Sequence, residues 1–267
     1  MVHVQALPGA PYARHSVAEI VDQAAAEARL LAAVGFDALI IENMHDRPYV
    51  HGKHGPEAAA VMTRVGLAVA DAASEARGGV PMPLGVQILS GGNREALAVA
   101  LAVGGSFIRC ENFVFAHVAD EGFLPEAEAG GLLRYRNQIG AEHIRIFADV
   151  KKKHASHAVT ADVPIGEAAQ AAEFFGADGL IVTGTATGKP CRLEDVVDTA
   201  KATPLPLLIG SGVTPHSCTE LLEHADGLIV GSWIKQQGFW ENPPDEGRCR
   251  EIVATVRAAR ARILGGA

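Results

Sequence analysis

Aromatic residues are scarce in this chain: nine Phe, three Tyr and two Trp are 5% of its 267 residues. Cysteine is scarcer. The four (Cys110, Cys191, Cys218, Cys249) are scattered with no CxxC spacing, which argues against a disulfide framework or a zinc ribbon and for free thiols in a reducing compartment. No apolar run reaches the roughly 18 residues of a membrane span, and no basic-then-apolar leader opens the chain. No integral membrane segment is therefore expected, and the cytoplasm is the expected location. Basic charge is also in deficit, with 23 Lys and Arg against 31 Asp and Glu and a net charge of −8. Neither nucleic acid nor an anionic membrane surface is expected as a main partner. No GxGxxG follows an early strand, so the mark of a dinucleotide-binding doubly wound sheet is missing. His45, His51 and His54 have neither HxH nor HExxH spacing, which disfavours zinc.

What is present is a regular alternation. Apolar runs of four to six residues alternate with longer helical patterns, as βαβ units do. The predicted strands are Val2–Ala6, Ala38–Ile41, Leu84–Ile88, Phe107–Cys110, Ile144–Ala148, Leu180–Val182, Leu207–Ile209 and Leu228–Val230. A helix is predicted over Ser16–Val34, opened by a Ser16/Glu19 capping box and closed at Gly35. Eight such units in about 250 residues make one (β/α)8 TIM barrel, a single domain over residues 1–267. Related segments at Gly35–Ile41, Gly176–Val182 and His224–Val230 fall on the second, sixth and eighth strands, as internal symmetry of a barrel would have it. The strand-to-helix loops after strands two, four and five are long and polar, whereas the helix-to-strand connections are short and marked by Gly. That asymmetry concentrates chemistry on the C-terminal face. Strand one begins at residue two, so an upstream segment or a partner subunit is expected to cover the bottom of the barrel.

Two glycine loops carry the strongest motif. Gly210-Ser211-Gly212 follows strand seven and Gly231-Ser232 follows strand eight, the usual place for a barrel phosphate site. Glycines let the backbone approach an anion, and following helical turns direct N–H groups and a positive dipole end at it. The alternative is that these glycines only permit tight turns. A third loop, Thr183–Gly188, with Thr185 and Gly188, either extends the cradle or is a plain turn. Lys235 could add charge. Around the same face, Glu42, Glu111 and Asp149 are candidate acid/base groups, and Glu42 and Asp149 candidate ligands for Mg2+ or another divalent cation. Lys153 and His154 could form an electropositive clamp or supply a general acid, at most one of Lys151–Lys153 facing inward. His3, Asn43, Asp46, Arg109 and Thr183 complete the polar set. A salt-bridge network of Arg109 with Glu42 or Glu111 is the alternative reading. No lysine ends the sixth strand, which disfavours imine chemistry, and Cys110 reads as packing rather than as a nucleophile.

These segments resemble the BtpA/SgcQ family over nearly the whole chain. The likeness runs through Met1–Gly9, Asp37–Asn43 with Asp46 and Pro48, Phe107–Asn112 with Asp120 and Gly122, Ile146–Val150 with Lys153–Ala155, Thr183–Gly188 with Leu193-Glu194, Gly210–Thr214 and Ala225–Gly231. The resemblance implies a TIM barrel. It leaves the activity open, the family being named for a photosystem I biogenesis factor and for a protein of a sugar gene cluster. Glu111 and Glu121 depart from the family's pattern, which tends to Asn or Val and to Gln there, and this loosens the case for Glu111 in catalysis. Two functions follow as expectations. One is an enzyme acting on a phosphorylated small molecule, a sugar phosphate or phosphoribosyl-type compound, by isomerase, lyase or glycosidic-cleavage chemistry. The other is a non-catalytic assembly or regulatory factor for a membrane complex, for which Trp233, Phe239 and Trp240, otherwise a lid or an oligomer contact, are the apolar candidates. A homo-oligomer is expected in either case.

Overall fold

The structure is a computed structural model that describes residues 1–52, 54–184 and 186–265. Chain contacts divide it into two compact units, Met1–Glu111 with Gly130–Ile146, and Asn112–Ala129 with Phe147–Ala267.

The first unit holds β1 (Val2–His3), α1 (Val17–Val34), β2 (Leu39–Glu42), α2 (Pro56–Ala76), β3 (Leu84–Gln87), α3 (Asn93–Val103), β4 (Phe107–Cys110) and nearly all of α4 (Ala129–Gln138). Helix α1 forms as its sequence dictates. Ser16 caps it, both capping-box hydrogen bonds to and from Glu19 are made, and Gly35 ends it in the left-handed conformation at φ 102°. Ile20, Ala24, Ala28 and Leu31 make the stripe it buries.

The second unit holds β5 (His117–Ala119), β6 (Gly122–Leu124), most of β7 (Arg145–Val150), β8 (Ala155–Ser156), α5 (Ile165–Phe174), β9 (Gly179–Val182), α6 (Leu193–Ala202), β10 (Leu207–Ile209), α7 (Pro215–Leu222), β11 (Gly227–Leu228) and α8 (Glu246–Gly265). The protein is thus an α/β fold with a parallel sheet of eight strands in the order β1-β2-β3-β4-β7-β9-β10-β11. β4 and β10 coincide with the predicted runs. The others shift by one to three residues, because ladder hydrogen bonds rather than apolarity define a strand's ends. A three-stranded antiparallel sheet, β6-β5-β8, was not foreseen. Its strands are two or three residues long, too short for a period-2 signal.

Register decides which side chains share a face, since laterally paired residues in a parallel sheet point the same way. In the first unit His3 pairs with Glu42, and Glu42 with Gln87, while Gly85 pairs with Phe107. Gln87 and Arg109 each lie two residues beyond that last pair, so His3, Glu42, Gln87 and Arg109 form one row on one face. All four are buried. The other face carries Leu39, Ile41, Leu84, Val86 and Ile108, all buried, and Ile41 meets α2 at Gly66. A glycine on β3 makes room for its neighbour: a Cβ at Gly85 would stand 2.3 Å from the Phe107 ring. The second unit repeats the device, with Phe147 over its register partner Gly179, also at 2.3 Å. In each case a Phe closes the layer beneath a polar residue two positions on, Arg109 or Asp149.

Candidate functional site

In the first unit the polar row sits at the C-terminal ends of the strands. His3 Nε2 lies 3.9 Å from Glu42 Oε2, both nearly sealed from solvent. The loop after β3 is held by two asparagines acting as surrogate strands. Asn43, fully buried, accepts from Leu89 N–H at Oδ1 (2.6 Å) and donates from Nδ2 to Leu89 O (3.1 Å). Asn93 does the same for Glu111, accepting its N–H (3.2 Å) and donating to its carbonyl (2.9 Å). Glu111 Oε2 in turn accepts from Gly91 N–H at 3.0 Å, which uses this carboxylate in fastening a loop. Asp46 accepts from Leu7 N–H (2.6 Å) and from Asn43 Nδ2 (2.9 Å). Burial raises its pKa above the ordinary carboxylate value, and those two bonds oppose the rise. Burial also raises Tyr49, with the Glu42 charge adding to it, and the Tyr49 hydroxyl donates to Met44 O at 2.7 Å.

In the second unit Asp149 is the last residue but one of β7 and is buried. The chain of this unit is strained on both sides of it in sequence. Asn112, Phe115, Lys151 and His154 all take positive φ, 46° to 61°, a region non-glycine residues seldom occupy outside sites that need it. Of the three consecutive lysines, Lys152 is the buried one, 4.0 Å from Glu121 Oε2. Lys153 is half-buried; its backbone N–H donates to Thr183 Oγ1 at 2.9 Å and its Nζ donates to Thr187 Oγ1 at 3.5 Å. His154 Nε2 accepts from Thr187 N–H at 3.0 Å and lies 2.9 Å from the Thr187 hydroxyl. An acceptor at Nε2 places the neutral ring's proton on Nδ1, which faces Asp120 Oδ2 at 3.6 Å. Desolvation, and then the Lys153 charge, lower the His154 pKa, so the neutral form is favoured.

The glycine loops are packed by their own chain. Gly212 takes φ +63°, and a Cβ there would lie 2.3 Å from Pro190 N, so any side chain would push against the Lys189-Pro190 backbone. Ser211 is buried and its hydroxyl donates to Ala186 O at 3.1 Å. Thr214 caps α7, accepting from Ser217 N–H, and Ser217 Oγ accepts from Thr214 N–H. The donors at that helix start are thus partly satisfied from within. Gly188 lies opposite Ser232, 4.0 Å from a Cβ position to Oγ, and Gly231-Ser232 opens a single 3-10 turn, Ser232–Ile234. Lys235 is buried. Thr185 lies outside the described residues. Trp233 is tied down by Arg248, which stacks 4.4 Å from the ring centroid and donates to the Trp233 carbonyl, while Phe239 is exposed.

Among the described residues no three His, Cys, Asp or Glu side chains come together as a metal site. A Mg2+ ion at Glu42 or Asp149 would take most of its oxygens from water and from a bound phosphate, its habit in phosphoryl sites. Sequence reasoning missed Gln87, Ser90, Asn93, Asn112 and Lys152. Gln87 had a signal, as the lone polar residue in Leu84-Gly-Val-Gln-Ile88. The others lie outside the strands, where polarity is unremarkable.

Polar groups buried at strand ends of an eight-stranded parallel sheet define an α/β protein of TIM-barrel-like fold. Solved enzymes share that fold. Thiamine phosphate pyrophosphorylase from Pyrococcus furiosus matches with a TM-score of 0.58 at 16% identity, covering 88% of this chain and 90% of that one. (S)-3-O-geranylgeranylglyceryl phosphate synthase from Thermoplasma acidophilum, solved with sn-glycerol-1-phosphate, matches at 0.54 and 14%, covering 88% and 87%. At such identities the likeness speaks for fold alone. The sequence goes further: the BtpA family model matches residues 1–258, and the chain belongs to that family. Its relatives include an uncharacterized mitochondrial protein of Caenorhabditis elegans, 44% identical over 97% of this chain and 92% of that protein. The photosystem I biogenesis protein BtpA of Synechocystis is 33% identical over 89% and 80%. Among the described residues no helix is long and apolar enough to cross a membrane.

Proposed function

We propose that the chain is an enzyme of the TIM-barrel kind acting on a phosphorylated small molecule, a sugar phosphate or phosphoribosyl-type compound. The carrying observation is the row His3, Glu42, Gln87 and Arg109, buried at the C-terminal ends of neighbouring strands. Burying ionisable groups costs free energy that apolar side chains of the same size would not. In a TIM-like sheet that end is where chemistry is mounted. Glu42, in the first unit, and Asp149, in the second, are each taken separately as an acid/base group or Mg2+ ligand for isomerase, lyase or glycosidic-cleavage chemistry. Within the second unit, Gly210, Ser211, Gly212, Gly231, Ser232 and Gly188 are the candidate phosphate anchor, with Lys153 as the charge. The names of the two enzymes above, each concerned with a phosphate ester, support the reading. Anchoring a remote phosphate supplies binding energy that orients the reacting end.

The test is a thermal-shift panel of sugar phosphates with and without Mg2+, on wild type and on Glu42→Gln and Asp149→Asn. A ligand that binds only the native state must raise its stability; no shift by any ester at millimolar concentration overturns the proposal. The second reading, an assembly factor for a membrane complex, is favoured by the name of the Synechocystis relative and by the exposed cross-strand pair Val118 and Phe123 on the small antiparallel sheet. It requires the cellular role to survive Glu42→Gln and Asp149→Asn with folding intact.

A further inference from the structure

Two side-chain oxygens in the first unit are buried with no hydrogen-bond partner among the described residues, Gln87 Oε1 and Ser90 Oγ. The residues are 2% and 0% exposed. The backbone around them is hydrogen-bonded. Ser90 N–H donates to Val50 O at 3.1 Å, and Ser90 O accepts from Gly52 N–H at 3.1 Å with His54 Nε2 at 3.2 Å. Leu89 is bonded at both backbone groups by Asn43, and Gly91 N–H is bonded by Glu111. Oxygens left unmatched in a loop whose backbone is so fastened point to a partner outside it, because native interiors rarely orphan a polar atom.

The position of Gln87 says where that something lies. It pairs in register with Glu42, on the face that Phe107 closes one layer below by covering Gly85. Its chemistry says what binds. A carboxamide oxygen accepts only, so the ligand brings an O–H or N–H. Ser90 can donate or accept. Both are neutral, in a row that sets Gln87 between the Glu42 carboxylate and Arg109, so they match a neutral hydroxyl rather than a charge. A hydroxyl also satisfies the carboxamide whichever way it is turned.

We propose that Gln87 and Ser90 bind hydroxyl groups of the substrate and select a polyhydroxylated ester over an alkyl one. This rests on the phosphorylated-substrate reading above. The test uses the full chain as wild type, Gln87→Met and Ser90→Ala, with ribose 5-phosphate, glucose 6-phosphate, butyl phosphate and inorganic phosphate as probes, followed by thermal shift and calorimetry. Wild type should bind at least one sugar phosphate roughly tenfold or more tightly than butyl phosphate, a discrimination each variant loses while keeping its affinity for inorganic phosphate. Without ligand, the variants should melt no lower than wild type, since each deletes an oxygen that bonds to nothing among the described residues. Equal binding of butyl and sugar phosphates by wild type overturns the inference. So do variants that melt lower yet bind sugar phosphate as wild type does, the mark of an internal water held by these groups. In both cases the phosphate reading stands. If no phosphate compound binds any of the three proteins, the functional reading fails and this inference with it.

Discussion

Replacing Asn43 by alanine should be among the costlier single changes in the first unit. The side chain is fully buried and makes three hydrogen bonds, two to the backbone of Leu89 and one to Asp46. Deletion leaves the Leu89 N–H and C=O unmatched, at about 1–3 kcal/mol for each buried group, and removes a donor from a carboxylate whose pKa is already raised by burial. Protonation of Asp46 would absorb part of that last loss, so the total is about 3–6 kcal/mol and the melting temperature should fall by roughly 6–15 °C. Urea unfolding with intrinsic fluorescence measures the difference directly, and an unchanged slope would show that stability alone has moved. Asn43→Asp is the sharper companion. It keeps an acceptor for Leu89 N–H but sets a carboxylate against Leu89 O and Asp46, so its deficit should shrink on acidification. A loss under about 1 kcal/mol for Asn43→Ala would refute the view that this clamp holds the β3 loop.

Other perturbations bear on separate links. Gly212→Ala should destabilise by about 1–3 kcal/mol in thermal unfolding, since its Cβ would meet Pro190 backbone at a positive φ; a neutral result would mean that the Lys189-Pro190 segment gives way. Ser16→Ala should cost about 1 kcal/mol by loss of the capping box of α1, measured by chemical denaturation, with Ser16→Gly closer to wild type. His154 holds Thr187 only through an unprotonated Nε2, and its pKa is lowered by desolvation and by Lys153. Because the folded state favours the neutral ring, the latch is fully present above the ordinary value of 6.5 and is lost as pH falls through the lowered one. Lys152, Lys153, Asp120 and Glu121 all act on that ring. Hydrogen exchange at the Thr187 amide, corrected for its intrinsic rate, should lose protection across that interval, and protection that stays flat would refute the latch.

The alternation of apolar runs and amphipathic stripes was enough to place all eight parallel strands and to delimit α1 to within a residue, because capping boxes, left-handed glycines and periodicity are local. Glu42, Arg109 and Asp149 were legible for the same reason: charged residues ending apolar strands stand out wherever the strands go. Only the tertiary structure could show that Asn43 and Asn93 are clamps, that Lys152 rather than a neighbour is the buried lysine, or that Gly212 is required by Pro190, since each depends on a segment at least 18 residues away. Register did the rest. Whether Gln87 joins Glu42 in one row or faces the helices is set by which residues pair across β2 and β3, and a slip of one position would turn every side chain to the other face.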